Sequence, residues 1–177
     1  MNKPRANISR LTEFDAFDRR SVILCLTWLA REYLGDAERK EGIGFVARVR
    51  SCEDADSALG TVVSMLKREM EGMEGVEVAD PFAPARLTVG IDLLERAQSS
   101  SKAAAENGKI AASYHLRTTR GVPTEWERSH VQKSISVFKR AAETGRQETH
   151  RALTELCDLY PEAVPTDEED EGKHHGD

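Results

Sequence analysis

The stretch that decides the fold is residues 124–160, TEWERSHVQKSISVFKRAAETGRQETHRALTELCDLY. Thr124 followed by Glu127 is the pattern of a capping box, in which the two residues satisfy each other's free backbone N–H groups at a helix start. Behind this start, apolar and small side chains recur every three or four residues, as one buried helix face requires. They are Val131, Ile135, Phe138, Ala142, Thr149, Leu153, Leu156 and Tyr160. Pro161 ends the pattern, so we predict one long amphipathic helix here.

Helical periodicity also runs through the chain before this element. A first helix is predicted from Thr12 to a stop at Gly35, and its residues 22–30 are apolar nearly all round. Such a helix needs cover on every side, so we expect it at the centre of the core. In residues 43–50 the apolar side chains fit both the two-residue alternation of a strand and the three-residue spacing of a short helix. No partner strand is evident, so we favour a short second helix.

A third helix is predicted from Ser51 to Gly72, and a linker with Pro81 follows it. Pro84 begins a fourth helix, which we expect to break near Gly108 before a fifth segment. The predicted fold is therefore all-α, an irregular bundle of five or six helices.

The length of 177 residues fits a single domain. We place this helical domain at residues 1–160. Residues 161–177 contain almost no apolar side chains, and residues 167–171 are five consecutive carboxylates. This segment cannot offset its ordering entropy by burial, so we expect a disordered acidic tail.

The chain has no apolar run near the roughly 20 residues that cross a bilayer, and its basic start is not followed by the apolar run of a secretory signal. Cys25, Cys52 and Cys157 are widely spaced and form no CxxC pair, which fits neither a disulfide framework nor a zinc site. We therefore expect a cytoplasmic protein without a membrane partner.

No motif supports catalysis. Glu127 and His130 form an E-x-x-H, but a di-iron bundle needs a second copy, and Glu127 is better explained as the capping partner. Residues 42–47 match G-x-G-x-x-A without the preceding strand that a dinucleotide site needs. We expect no enzyme, cofactor or metal site, and we interpret Trp28 and Trp126 as packing aromatics.

Charge is unevenly distributed along the chain. The net formal charge is −6, yet residues 84–153 hold 12 basic and 7 acidic side chains, while residues 154–177 hold 1 basic and 9 acidic. At roughly 100° per residue, six cations between residues 128 and 151 of the last helix fall on an arc of about 140° with one anion, Glu143. These cations are Arg128, Lys133, Lys139, Arg140, Arg146 and Arg151.

Two interpretations of this arc are open. It is a solvated face if Glu143 pairs with Lys139, Arg140 or Arg146 on neighbouring turns. Alternatively it is a track for a polyanion, because Lys and Arg at this spacing suit the phosphates of a nucleic-acid backbone. Lys102, Lys109, Arg117 and Arg120 extend the track if their segment packs alongside. No aromatic residue interleaves the cations, so we expect backbone contact without base stacking.

We therefore predict a non-catalytic accessory protein that binds nucleic-acid backbone, DNA or RNA, as a small subunit of a larger complex with other proteins. At the level of fold alone this resembles the small helical subunits of CRISPR effector complexes, which line a nucleic-acid channel with basic helices. The alternative is a protein-interaction adaptor or inhibitor whose acidic tail mimics nucleic acid.

Overall fold

A computed structural model describes residues 16–38, 44–73, 80–118 and 122–164. They form α1 (Ala16–Glu38), α2 (Phe45–Met73), α3 (Ala83–Thr118) and α4 (Glu125–Leu159), followed by a short 3₁₀ helix, Pro161–Ala163. These four ranges contain no strand, which confirms the prediction of an all-α fold.

Consecutive helices run antiparallel to each other. Glu53 near the start of α2 pairs with Lys109 late in α3, whereas Lys67 late in α2 pairs with Glu95 in the first half of α3. The same reversal relates α1 to α2, α3 to α4 and α4 to α1. Each helix packs on two neighbours, with α3 against α4 the most extensive contact, so the fold is an up-down-up-down four-helix bundle.

Leucine and phenylalanine side chains from all four helices fill the space between them. The largest fully buried apolar side chains are Ile23, Leu34, Leu59, Leu66, Leu87, Leu94, Phe138, Leu156 and Tyr160. Burying one such side chain stabilises the fold by about 1.5–3 kcal/mol. These side chains together therefore supply the main driving force for folding.

The prediction that the first helix lies at the centre of the core is wrong. Ile23, Thr27 and Ala30 of α1 are buried, but Cys25 is exposed and Trp28 is 50% exposed. A four-helix bundle gives α1 only two neighbours, which leaves one side of it in solvent.

The described residues form four α-helices, so the predicted count of five or six is also wrong: two expected breaks do not occur, and α1 ends later than predicted. Helix α1 continues through Gly35 to Glu38, and α2 joins the second and third predicted helices without a break at Ser51. Gly108 lies inside α3 and is buried against Val49 and Phe138. Because Gly108 has no side chain, α2 and α4 can pack closely against α3 at this position. The glycine does not end the helix.

The prediction that the disordered tail starts at residue 161 is wrong for residues 161–164. Residues 161–164 fold back on the bundle, where Ala163 is buried and the Arg20 guanidinium lies 2.6 Å from a Glu162 carboxylate oxygen. Pro161 does end α4, as predicted. Residues 165–177, with the acidic run, lie outside the described residues, as do residues 12–15 of the predicted first helix.

Candidate nucleic-acid interface

The start of α4 is fixed by the predicted capping box. The Glu127 backbone N–H donates to Thr124 Oγ1 at 3.2 Å, and the Thr124 backbone N–H donates to Glu127 Oε2 at 2.8 Å. This confirms Glu127 as a capping residue, and the described residues hold no cluster of three His, Cys, Asp or Glu side chains suited to a metal ion.

The first half of α4 together with the end of α3 projects beyond the other two helices. Phe138 packs on Phe45, the first residue of α2, with ring centroids 5.3 Å apart, and Glu38, the last residue of α1, pairs with Arg146. In an antiparallel bundle, residues of α4 before Phe138 therefore lie past these ends of α1 and α2. We call residues 113–118 and 125–137 the α3–α4 projection. At 1.5 Å per residue its α4 arm is about 20 Å long.

Four predicted site residues, Arg128, Lys133, Lys139 and Arg140, are exposed on α4. No carboxylate of the described residues lies within 4.0 Å of their charged nitrogens. The sequence explains this, because residues 128–142 contain no Asp or Glu. We call these four residues the cationic face.

Glu143 does not neutralise this face. Its carboxylate accepts a hydrogen bond from Gln147 Nε2 at 3.4 Å, and it forms no ion pair with a cation of the described helices. The expected pairing with Lys139, Arg140 or Arg146 is therefore absent from this part of the chain.

Two other predicted contact residues already have acidic partners. Arg146 Nε donates to Glu38 Oε2 at 2.5 Å and ties α4 to the end of α1. Arg151 lies 3.5 Å from Glu148 Oε2, an electrostatic contact without hydrogen-bond geometry. Farther along, Arg151 and Arg96 share a surface between α3 and α4 with Asp92 and Glu155, so charge there is mixed.

The expected extension of the track onto α3 does not occur at Lys102 or Lys109. Lys109 pairs with Glu53 on α2, and this hydrogen bond raises the pKa of Lys109. Lys102 lies two turns earlier on the same side of α3, so neither lysine extends the cationic face. Arg120 lies outside the described residues, and so does the side chain of Arg117.

An aromatic cluster that the sequence analysis missed lies beside the cationic face. The rings of Trp126 and His130 stack with centroids 5.1 Å apart and an interplanar angle of 12°, and Tyr114 of α3 meets both rings edge-on. Trp126 packs on these two rings but is 65% exposed, and Trp28 is 50% exposed, so neither tryptophan lies in the core. Trp126, His130 and Lys133 follow the i, i+4, i+7 spacing of one helix side, which was the signal that could have revealed the cluster.

None of the described helices has an apolar stretch long enough to cross a membrane. Comparison with known proteins found no family model, no curated protein and no solved structure that matches this chain, so the site is interpreted from its own residues.

Proposed function

We propose that this protein binds the sugar-phosphate backbone of a nucleic acid through the cationic face of α4 and acts as a non-catalytic subunit of a nucleoprotein assembly. The observation that carries the proposal is the set of four exposed cations, Arg128, Lys133, Lys139 and Arg140, with no carboxylate of the described chain within 4.0 Å. Residues 128–142 contain these four cations and no Asp or Glu, whereas a solvated helix face of ordinary composition has alternating signs of charge.

The distribution of charge favours a polyanion over a single small anion. Arg128 and Arg140 are 12 residues apart, which is about 18 Å along the helix axis. One strand of B-form DNA presents a phosphate every 3.4 Å, so several phosphates fit along this length. The four cations lie on one side of a single helix, a convex surface that suits backbone contact better than enclosure of a small ligand.

The proposal predicts a steep dependence of binding on salt. Four phosphate contacts give a slope of about −3.6 for log K against log[salt] on duplex DNA. Affinity should then fall about 100-fold between 50 and 200 mM salt. Fluorescence anisotropy with labelled oligonucleotides measures both quantities.

A charge-reversal experiment tests the location of the site. Lys133→Glu with Arg140→Glu should weaken binding at least 100-fold for all sequences alike. The control is Arg19→Glu with Arg68→Glu, which changes net charge equally at exposed positions on α1 and α2 near the opposite end of the bundle. Equal losses in the two double variants, or salt-insensitive binding, would refute the proposal.

A protein-interaction adaptor or inhibitor is the second candidate. It is favoured by Phe82, directly before α3, and Val89, in the second turn of α3, which are 68% and 46% exposed beside Ala85. This function requires a protein partner that stays bound after nuclease treatment, and no affinity for DNA or RNA. If the acidic tail is the nucleic-acid mimic, a chain ending at Val164 should lose that partner.

A further inference from the structure

The stacked pair of Trp126 and His130 leaves most of the indole ring in solvent. The indole ring is 65% exposed, although it is held nearly parallel to the His130 ring at 5.1 Å. Tyr114 fixes the pair from α3, with centroid distances of 6.5 Å to Trp126 and 5.5 Å to His130. The capping box at Thr124 also fixes the backbone that carries Trp126. A large aromatic surface is therefore held in solvent in one orientation.

The position of Trp126 relative to the cations indicates what this surface is for. Trp126, Lys133 and Arg140 are each seven residues apart, so successive members lie within about 20° of each other around α4. Each step is about 10 Å along the helix axis, which is the rise of about three nucleotides of a B-form strand. The aromatic ring thus continues the line of cations.

We propose that Trp126 stacks on an unpaired base, so that the preferred ligand of the cationic face is single-stranded nucleic acid. This inference rests on the proposed backbone binding by Lys133 and Arg140. A positively charged track with an aromatic platform is the combination that single-strand-binding proteins use. In a duplex the faces of internal bases are stacked on each other, so the indole has no base to bind.

The stacked rings should favour single-stranded over double-stranded nucleic acid, but they should not distinguish one base sequence from another. Every base has a π-face, and the indole presents no hydrogen-bond pattern that reads a base edge. The His130 ring covers one face of the indole, and no other ring of the described residues stacks on the opposite face, where the base would stack. Because Tyr114 and His130 already hold the indole in place, little side-chain entropy is lost when a base stacks on it.

The test compares Trp126→Ala with the natural protein on a 15-nucleotide oligo(dT) and on a 15-base-pair duplex at 50 mM salt. Loss of one stacked base weakens single-strand binding by about tenfold or more, and duplex binding stays unchanged. Trp126→Phe, which keeps a smaller ring, should retain part of the affinity. Trp28→Ala removes the other exposed tryptophan, on α1, and should change neither affinity.

A second measurement reports stacking directly. In a Trp28→Phe background Trp126 is the single remaining tryptophan, because the chain contains two. Oligo(dT) should quench its emission at saturation, and the duplex should not. Circular dichroism of each variant verifies that the helices are intact.

The outcomes separate this inference from the proposed function. If Lys133→Glu with Arg140→Glu abolishes binding while Trp126→Ala leaves oligo(dT) binding intact, backbone binding stands and base stacking is wrong. Equal loss on oligo(dT) and duplex in Trp126→Ala also overturns stacking. If the natural protein binds neither oligonucleotide, the proposed function fails and this inference fails with it.

Discussion

Gly108 of α3 lies directly against the ring of Phe138 of α4. A Cβ atom added at Gly108 would lie 3.0 Å from Phe138 Cδ2 and 2.5 Å from Val49 Cγ2. Both distances are shorter than ordinary carbon–carbon contacts, so three helices approach each other here only because residue 108 has no side chain. This contact lies close to the start of the α3–α4 projection.

Gly108→Ala should therefore destabilise the protein. Alanine improves helix propensity by about 1 kcal/mol, but overpacking a close-packed core costs about 1–3 kcal/mol. We expect a net loss of about 1 kcal/mol in the free energy of unfolding, measured by urea denaturation.

The matched substitution is Gly72→Ala in the last turn of α2, where an added Cβ meets nothing within 4 Å. This variant should be neutral or more stable by up to about 1 kcal/mol. A stabilised Gly108→Ala would mean that Val49 and Phe138 move apart at no cost, contrary to the tight packing described above.

Most of the fold could be predicted from sequence, because periodicity and capping are local properties. The long α4, its Thr124 start and its Pro161 end are correct for that reason. The role of Gly108 could not be predicted, since a glycine that ends a helix and one that admits a neighbouring helix look alike until the neighbour is known.

The candidate site also combines features that can be predicted from the sequence with features that depend on the bundle topology. Exposure of Lys133 and Arg140 follows from their position around α4, which the sequence contains. The pairing of Arg146 with Glu38 joins residues 108 positions apart, and pairing at that separation depends on the bundle topology. The stacking of Trp126 on His130 is local, but its exposure depends on α1 and α2 ending before it.

A buried tyrosine makes the protein sensitive to alkaline pH. The Tyr160 hydroxyl donates to Glu69 Oε2 at 2.9 Å, and burial together with that carboxylate raises the pKa of Tyr160 well above its ordinary value near 10. Burial likewise raises the pKa of the Cys52 thiol to about 12. Both groups are therefore held protonated in the folded protein at pH values where they ionise in the unfolded chain.

A group whose pKa is raised on folding contributes its full stabilisation at pH values below its pKa in the unfolded chain. This stabilisation is lost as pH rises through its pKa in the folded protein. We expect the free energy of unfolding to fall above about pH 8.5 for Cys52 and above about pH 10 for Tyr160, each by at most about 1.4 kcal/mol per pH unit. Denaturant titrations from pH 7 to 11 measure the slope.

Single variants assign the two parts of this slope. Cys52→Ala should flatten the part between about pH 8.5 and 10, and Tyr160→Phe should flatten the part above about pH 10. A constant free energy of unfolding up to pH 11 in the natural protein would contradict the prediction.

The ion pair between Glu38 and Arg146 removes one cation from the proposed interface, so breaking it should strengthen nucleic-acid binding. Glu38→Gln leaves Arg146 free to contact a further phosphate, which should increase affinity a few-fold and steepen the salt slope by about 0.9 on duplex DNA. The cost in stability should stay below about 1 kcal/mol, because both side chains are more than one-third exposed.

Glu53→Gln provides the comparison for this change. It removes the same charge and frees Lys109, but on the side of α3 that faces α2. Binding should then change little. Equal gains in the two variants would show that net charge alone controls affinity and that the position of Arg146 is irrelevant.

The cap at Thr124 should control order at the tip of the projection more than global stability. Thr124→Ala removes the acceptor of the Glu127 N–H, a loss of about 1 kcal/mol for helix termini in general. Residues 125–128 lie beyond the core, so their opening does not require global unfolding. Their amide hydrogens should exchange faster while the urea midpoint changes little.

Because Trp126 lies in this turn, oligo(dT) binding should weaken more than duplex binding. Thr61→Ala, an exposed site within α2, should leave both exchange and binding unchanged, and unchanged exchange at residues 125–128 in Thr124→Ala would contradict the role assigned to the cap.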